Sequence, residues 1–174
     1  MAGLPPGRAL DLGAGEGRNA AWLAARGWDV TAVDFSRAGL ARAHEMARRA
    51  GADITTVLAD LSDYVPAPSA FDLVLALYVQ VPGDLLATIL GRASTALAPG
   101  GTVILIGHDL ANLENGFGGP QDPSVLQTAA QVTAALGDDL VIEAAGPVER
   151  LVETPGGPRT AIDVLVRAQR PAGA

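Results

Sequence analysis

Three glycines at alternate positions, Gly13, Gly15 and Gly17, follow a short apolar run, RALDL, at 8–12. Glycine tolerates positive φ and lets a backbone approach a ligand with no Cβ between them, while the start of the next helix offers free N–H groups. Asp34 ends the second apolar run, DVTAVD, where an acidic side chain can accept hydrogen bonds from a ribose diol. Together these residues describe a berth for a nucleoside-bearing cofactor across adjacent strand ends. Spacing narrows the choice. A dinucleotide fingerprint has glycines at its first, third and sixth positions, and counting from Gly13 the sixth is Arg18, whose side chain obstructs the close helix–strand approach. A ligand-free strand-to-helix turn also accounts for the glycines, and strand-end capping for the aspartates.

Composition restricts what could act on a substrate there. All 12 basic residues are Arg, so a Schiff-base Lys and the phosphate-loop Lys of a P-loop NTPase are excluded. There is no Cys, which removes thiol nucleophiles and Cys-ligated metals, and with two His a multi-His metal cage is excluded; no metal site is expected. The candidates that remain are His108, directly after an apolar run, and Tyr78, just beyond another; an imidazole there could take a proton near neutral pH. His44 falls inside a helical segment and reads as a solvated surface residue. A net charge of −7 repels phosphate backbones and anionic lipid, so neither nucleic acid nor membrane is an expected partner. No apolar run nears the roughly 18 residues of a membrane helix, and the sequence reads as cytoplasmic.

At 174 residues the chain suits one domain, 1–174, with a short lead at 1–7 and a frayed tail at 171–174. Strands are expected at 8–12, 29–34, 53–58, 71–77 and 102–107, with helices at 18–26, 37–50 and 84–97 between them. That alternation implies an α/β fold with a doubly wound, parallel sheet. The loop 108–122 at the active edge is rich in Gly, Asn and Asp, and its NLENGFGGP stretch could close over substrate with Phe117 as apolar contact. Asp122 and Pro123 read as N-cap and first residue of a helix to Leu136. Two strand-like runs, 140–152 and 160–167, flank a Pro/Gly turn and form an antiparallel hairpin.

Four separated pieces, LDLGAGEGR at 10–18, VTAVDFS at 30–36, LADLSD at 58–63 and LAPGGTVILIG at 97–107, resemble the class I S-adenosylmethionine-dependent methyltransferases. The resemblance covers nearly the whole chain, and GEGRNAAWLA is similar to the tellurite-resistance and thiopurine-type small-molecule branch. It implies a Rossmann-like seven-stranded sheet, mostly parallel, with an antiparallel last strand in a 6–7 hairpin. It also implies S-adenosylmethionine as cofactor and S-adenosylhomocysteine as product. Gly13, Ala14 and Gly15, with Gly17 completing the turn, would pass under the methionine part, and Asp11 would steady its ammonium. Arg18 would pair with its carboxylate and Asn19 add a neutral hydrogen bond. Asp34 would take the ribose and Phe35 cover the adenine, while Asp60 would accept from its amino group with Leu61 flanking the ring. Ala76, Leu77 and Tyr78 would line the sulfonium.

Methyl transfer from a sulfonium is an in-line displacement in which the protein supplies alignment and a dry pocket. His108 and Tyr78 are the candidate catalytic residues for a small-molecule acceptor. Family members usually carry helices ahead of the first strand, and the short lead leads us to expect self-association as a homodimer. The rival readings are a noncatalytic cofactor-binding or scaffolding domain of the same fold and a nicotinamide-dependent oxidoreductase.

Overall fold

The computed structural model describes residues 3–173, so what the sequence suggested for 1, 2 and 174 lies outside the described residues. The apolar runs become β1 (Arg8–Leu12), β2 (Asp29–Asp34), β3 (Thr55–Leu58), β4 (Phe71–Leu77) and β5 (Leu97–His108). Between them lie α1 (Arg18–Ala24), α2 (Arg37–Arg49) and α3 (Gly83–Ala96). After β5 come α4 (Asn112–Asn115), α5 (Ala129–Leu136), and the hairpin of β6 (Val141–Val152) and β7 (Arg159–Gln169). One seven-stranded sheet results, in the order β3-β2-β1-β4-β5-β7-β6. Pairing is parallel up to β5, and β7 runs antiparallel to both its neighbours. The fold class, the doubly wound sheet and the terminal hairpin are those expected.

Apolar side chains alternate between two cores. One face packs Leu10, Leu12, Val74, Val103 and Leu105 against α3 and α5; the other packs Ala9, Val30, Ala32, Leu73 and Leu75 against α1 and α2. Burial on both faces explains why β1 and β4 are nearly continuous apolar runs. β6 is the opposite case, an edge strand of 12 residues almost wholly exposed.

Two expectations need correction. The helix projected from Pro123 is a single 3-10 turn, Pro123–Val125, capped by Asp122, and α5 begins only at Ala129. The chain is extended between them because Leu126 and Gln127 are buried and Gln127 pairs with the backbone near Asp109. Thr128 and Gln131 then form a reciprocal capping box, which resets the helix start. The loop 108–122 is also less irregular than expected, since it carries α4 and is tied to β7 by Asn112. That buried side chain accepts from the Ile162 N–H (2.7 Å) and donates to the Gly118 carbonyl (2.8 Å).

Candidate active site

The glycine turn is built by its neighbours. Gly13, Gly15 and Gly17 all have positive φ, at 70°, 56° and 76°. At Gly17 the requirement is double, because a Cβ there would also lie 2.3 Å from the Cβ of Ala43 on α2. Asp34, at the end of β2, clamps the turn to the start of α2. Its Oδ2 accepts from the Gly15 N–H and its Oδ1 from the Ser36 N–H, both at 2.8 Å. Each oxygen keeps a further lone pair.

Asp11 lies in β1 beneath this turn, 1% exposed, with its Oδ2 lacking any hydrogen-bond partner. Burial pushes its carboxyl up to about 7; the Ala20 N–H opposes this and the nearby Asp34 charge adds to it. A buried carboxyl with an unpartnered oxygen is a fitting neighbour for an ammonium group. Asp60, fully exposed after β3, accepts from the Ser62 N–H at 2.8 Å, and the Ser62 hydrogen bonds hold its carboxyl below the usual range.

A crevice of about 390 Å³ runs along the carboxyl ends of these strands, lined by Gly13, Asp34, Phe35, Asp60, Leu61 and Tyr78, with Val79 to Val81 and Leu85 closing one wall. That volume is in the range of small-ligand sites. Phe35 is 77% exposed, so most of its ring is left uncovered by the protein. The open aromatic face, the two carboxylates and the glycine floor fit an adenosine-bearing group. A larger hollow, about 540 Å³, opens between α3 and α5. It has no titratable side chain in its lining, so its size alone gives it no chemistry.

The remaining sequence candidates lie around the crevice. Ala14 and Gly17 are buried in the turn, Arg18 is exposed and Asn19 half-buried at the start of α1. Ala76 is 1% exposed and belongs to the core, and Leu77 packs half-buried against the α1–α2 side, so neither side chain lines the crevice. Phe117 lies under the Arg159 guanidinium, 4.8 Å from its ring centre, and is not among the crevice-lining residues.

His108 and Tyr78 come together, ring centres 5.1 Å apart. Tyr78 has a left-handed backbone, φ 55°, that turns its side chain out of the sheet at the end of β4. Its hydroxyl donates to Asp163 Oδ2 at 2.6 Å, and burial together with that carboxylate pushes the phenol pKa up. Arg150 donates through Nε to the same oxygen (2.6 Å) and through Nη2 to Oδ1 (3.3 Å). Burial would raise the Asp163 carboxyl, but the Arg150 and Tyr78 hydrogen bonds outweigh it and hold it below the usual range. Asp163 and Arg150 were not among the sequence candidates. The available signal was weak: an Asp inside the apolar alternation AIDVLV, with no motif around it.

The family model described as a methyltransferase domain matches residues 9–101, more than half the chain. The ribosomal RNA small subunit methyltransferase C of Alcanivorax borkumensis is 30% identical over 108 residues, covering 59% of this chain and 33% of that protein. A probable S-adenosyl-L-methionine-dependent methyltransferase, TehB of Haemophilus influenzae, is 36% identical over 59 residues, 34% of this chain and 21% of its own length. The chain thus spans a third or less of these curated relatives. The crystal structure of the N-methyltransferase NodS from Bradyrhizobium japonicum WM9 with S-adenosyl-L-homocysteine superposes with a TM-score of 0.72 at 19% identity, covering 95% of this chain and 78% of that one. At that identity the likeness concerns the fold. Among the described residues, no helix is long and apolar enough to cross a membrane, and no His, Asp and Glu cluster could hold a metal ion.

Proposed function

Because this chain belongs to the class I S-adenosylmethionine-dependent methyltransferases, with S-adenosylmethionine as cofactor, we propose that it methylates a small cytoplasmic molecule by in-line displacement. The observation that carries the reading is the crevice of about 390 Å³ in which Gly13, Asp34, Phe35, Asp60, Leu61 and Tyr78 meet. Asp34 would take the ribose hydroxyls with its spare lone pairs, Phe35 would cover the adenine, and Asp60 and Leu61 would hold its edge and face. Asp11 would answer the ammonium, Arg18 and Asn19 the carboxylate, and the Gly13-Ala14-Gly15 backbone would run beneath. The cofactor supplies an activated methyl on a sulfonium; the protein aligns it and excludes water. Tyr78 would wall the acceptor side and His108 would receive a proton. The net charge of −7 supports a small acceptor over a polyanion.

Calorimetric titration tests the cofactor reading, with S-adenosylmethionine expected to bind and NAD not; the reverse would overturn it. Turnover assays then offer thiols, tellurite and a ribosomal RNA fragment as acceptors. Methylation of RNA alone would overturn the small-molecule reading while leaving the family intact.

A further inference from the structure

We propose that Asp163 is a positioning residue that holds His108 ready to take a proton, and that the acceptor is therefore a nucleophile that arrives with its proton, such as a hydroxyl compound, rather than a thiolate or a chalcogen anion. This deepens the methyltransferase reading above and rests on it. Asp163 sits on β7 directly opposite His108 on β5 and is 1% exposed. A carboxylate has about four lone-pair sites. Two on Oδ2 are filled by the Tyr78 hydroxyl and Arg150 Nε, and one on Oδ1 by Arg150 Nη2. One site on Oδ1 is left. His108 Nδ1 lies 3.3 Å from that oxygen, is shielded from solvent, and has no aligned hydrogen-bond partner. A shielded ring nitrogen without a partner and a carboxylate site without a donor thus lie 3.3 Å apart, close enough for a small turn of the ring to join them. Catalytic hydrogen bonds are often this loose before substrate tightens them.

Which imidazole nitrogen carries the proton is set by the hydrogen bond the other makes. With Asp163 held ionised by Arg150 and Tyr78, the proton belongs on Nδ1, which leaves the Nε2 lone pair as the base. Tyr78 cannot serve in that role, because its hydroxyl proton is committed to Asp163. In the step itself the acceptor oxygen bonds to the methyl carbon while the carbon–sulfur bond breaks, its electron pair staying on sulfur. The hydroxyl proton passes to His108 Nε2. The products are a methyl ether, an imidazolium and a neutral thioether. A thiolate arrives without its proton and needs none of this.

The chain has two His, so nitrogen-15 histidine labelling gives two imidazole signals, and exposed His44 on α2 serves as an internal reference. In wild-type protein at pH 9 the expected His108 form carries its proton on Nδ1. In Asp163→Asn it moves toward the Nε2–H form while His44 is unchanged. A wild-type His108 protonated on Nε2, or a tautomer indifferent to the substitution, overturns the proposal, and the wild-type spectrum decides this even if the variant folds poorly. With catechol and thiophenol as matched acceptors, Asp163→Asn is expected to lower catechol methylation roughly 10- to 100-fold and thiophenol methylation about tenfold less than that. Equal losses on both, or wild-type turnover of thiophenol alone, overturn the acceptor class. Calorimetry keeps the layers apart: absent S-adenosylmethionine binding sinks the methyltransferase reading, whereas intact binding with the Nε2–H form sinks only this one.

Discussion

The two halves of the sheet solve the same problem, holding polar groups at strand ends, by different means. In the β1–β3 half the groups come from consecutive turns of one chain segment, 11–61, and are locked by backbone donors: Gly15 and Ser36 on Asp34, Ser62 on Asp60. In the β5–β7–β6 half they come from distant segments and are locked by one another. Tyr78 and Asp163 are 85 residues apart in sequence and 2.6 Å apart in space. A site made of backbone turns is fixed as soon as its helices pack. One made of side chains across a hairpin is fixed only when the hairpin has docked.

Substitutions can break that contrast. The largest effect is expected at Gly17→Val, which combines a left-handed backbone with a Cβ in collision with α2. A loss of about 4 kcal/mol is expected from the strain and the overpacking; urea denaturation showing less than about 1 kcal/mol would mean that the turn is not fixed by packing. Asp11→Asn comes next and has the opposite sign. The folded carboxyl is raised from an ordinary 3.8 to about 7, so folding favours its protonated form and stability falls as pH rises across that window. Above pH 7 the penalty is fully present, and the substitution should stabilise the cofactor-free protein by about 4 kcal/mol at pH 8 and by little at pH 4. The same substitution should weaken S-adenosylmethionine binding. Thermal unfolding at both pH values checks the first part and calorimetry the second; equal gains at the two pH values would refute the buried-charge argument.

On the acceptor side, Asn112→Ala leaves the Ile162 N–H and the Gly118 carbonyl without their partner. A cost of about 2 kcal/mol is expected. Gly119 packs against His108, so the loosened loop should also lower kcat more than it changes cofactor affinity; an unaltered kcat would detach the loop from the chemistry. The smallest effect belongs to Leu151→Thr on the exposed edge strand, within about 0.5 kcal/mol by denaturation. A large change there would show that β6 is covered in solution.

The contrast also explains what could be read in advance. Gly13, Asp34, Phe35 and Asp60 announce themselves because turn chemistry fixes their place relative to the strand before them, and the sheet then brings the strand ends together. Asp163 does not, because a single Asp in an apolar alternation looks the same whether it meets solvent or three donors. Arg150 reads as a surface charge on an exposed strand until the register Arg150↔Ala161 sets it diagonal to Asp163. The delayed start of α5 was legible in principle, in Thr128 and Gln131, but Asp122-Pro123 offers an equally good start six residues earlier. Burial of Leu126 and Gln127, a tertiary effect, decides between them.

Tyr78 occupies a backbone conformation in which glycine would rest without strain, and for a bulky residue that costs on the order of 1–3 kcal/mol. Thermostabilisation that looks only at dihedral angles would choose this position first, and Tyr78→Gly would relax the end of β4. It would also remove an aromatic wall of the crevice and the hydroxyl that donates to Asp163. At this position robustness and selectivity pull in opposite directions.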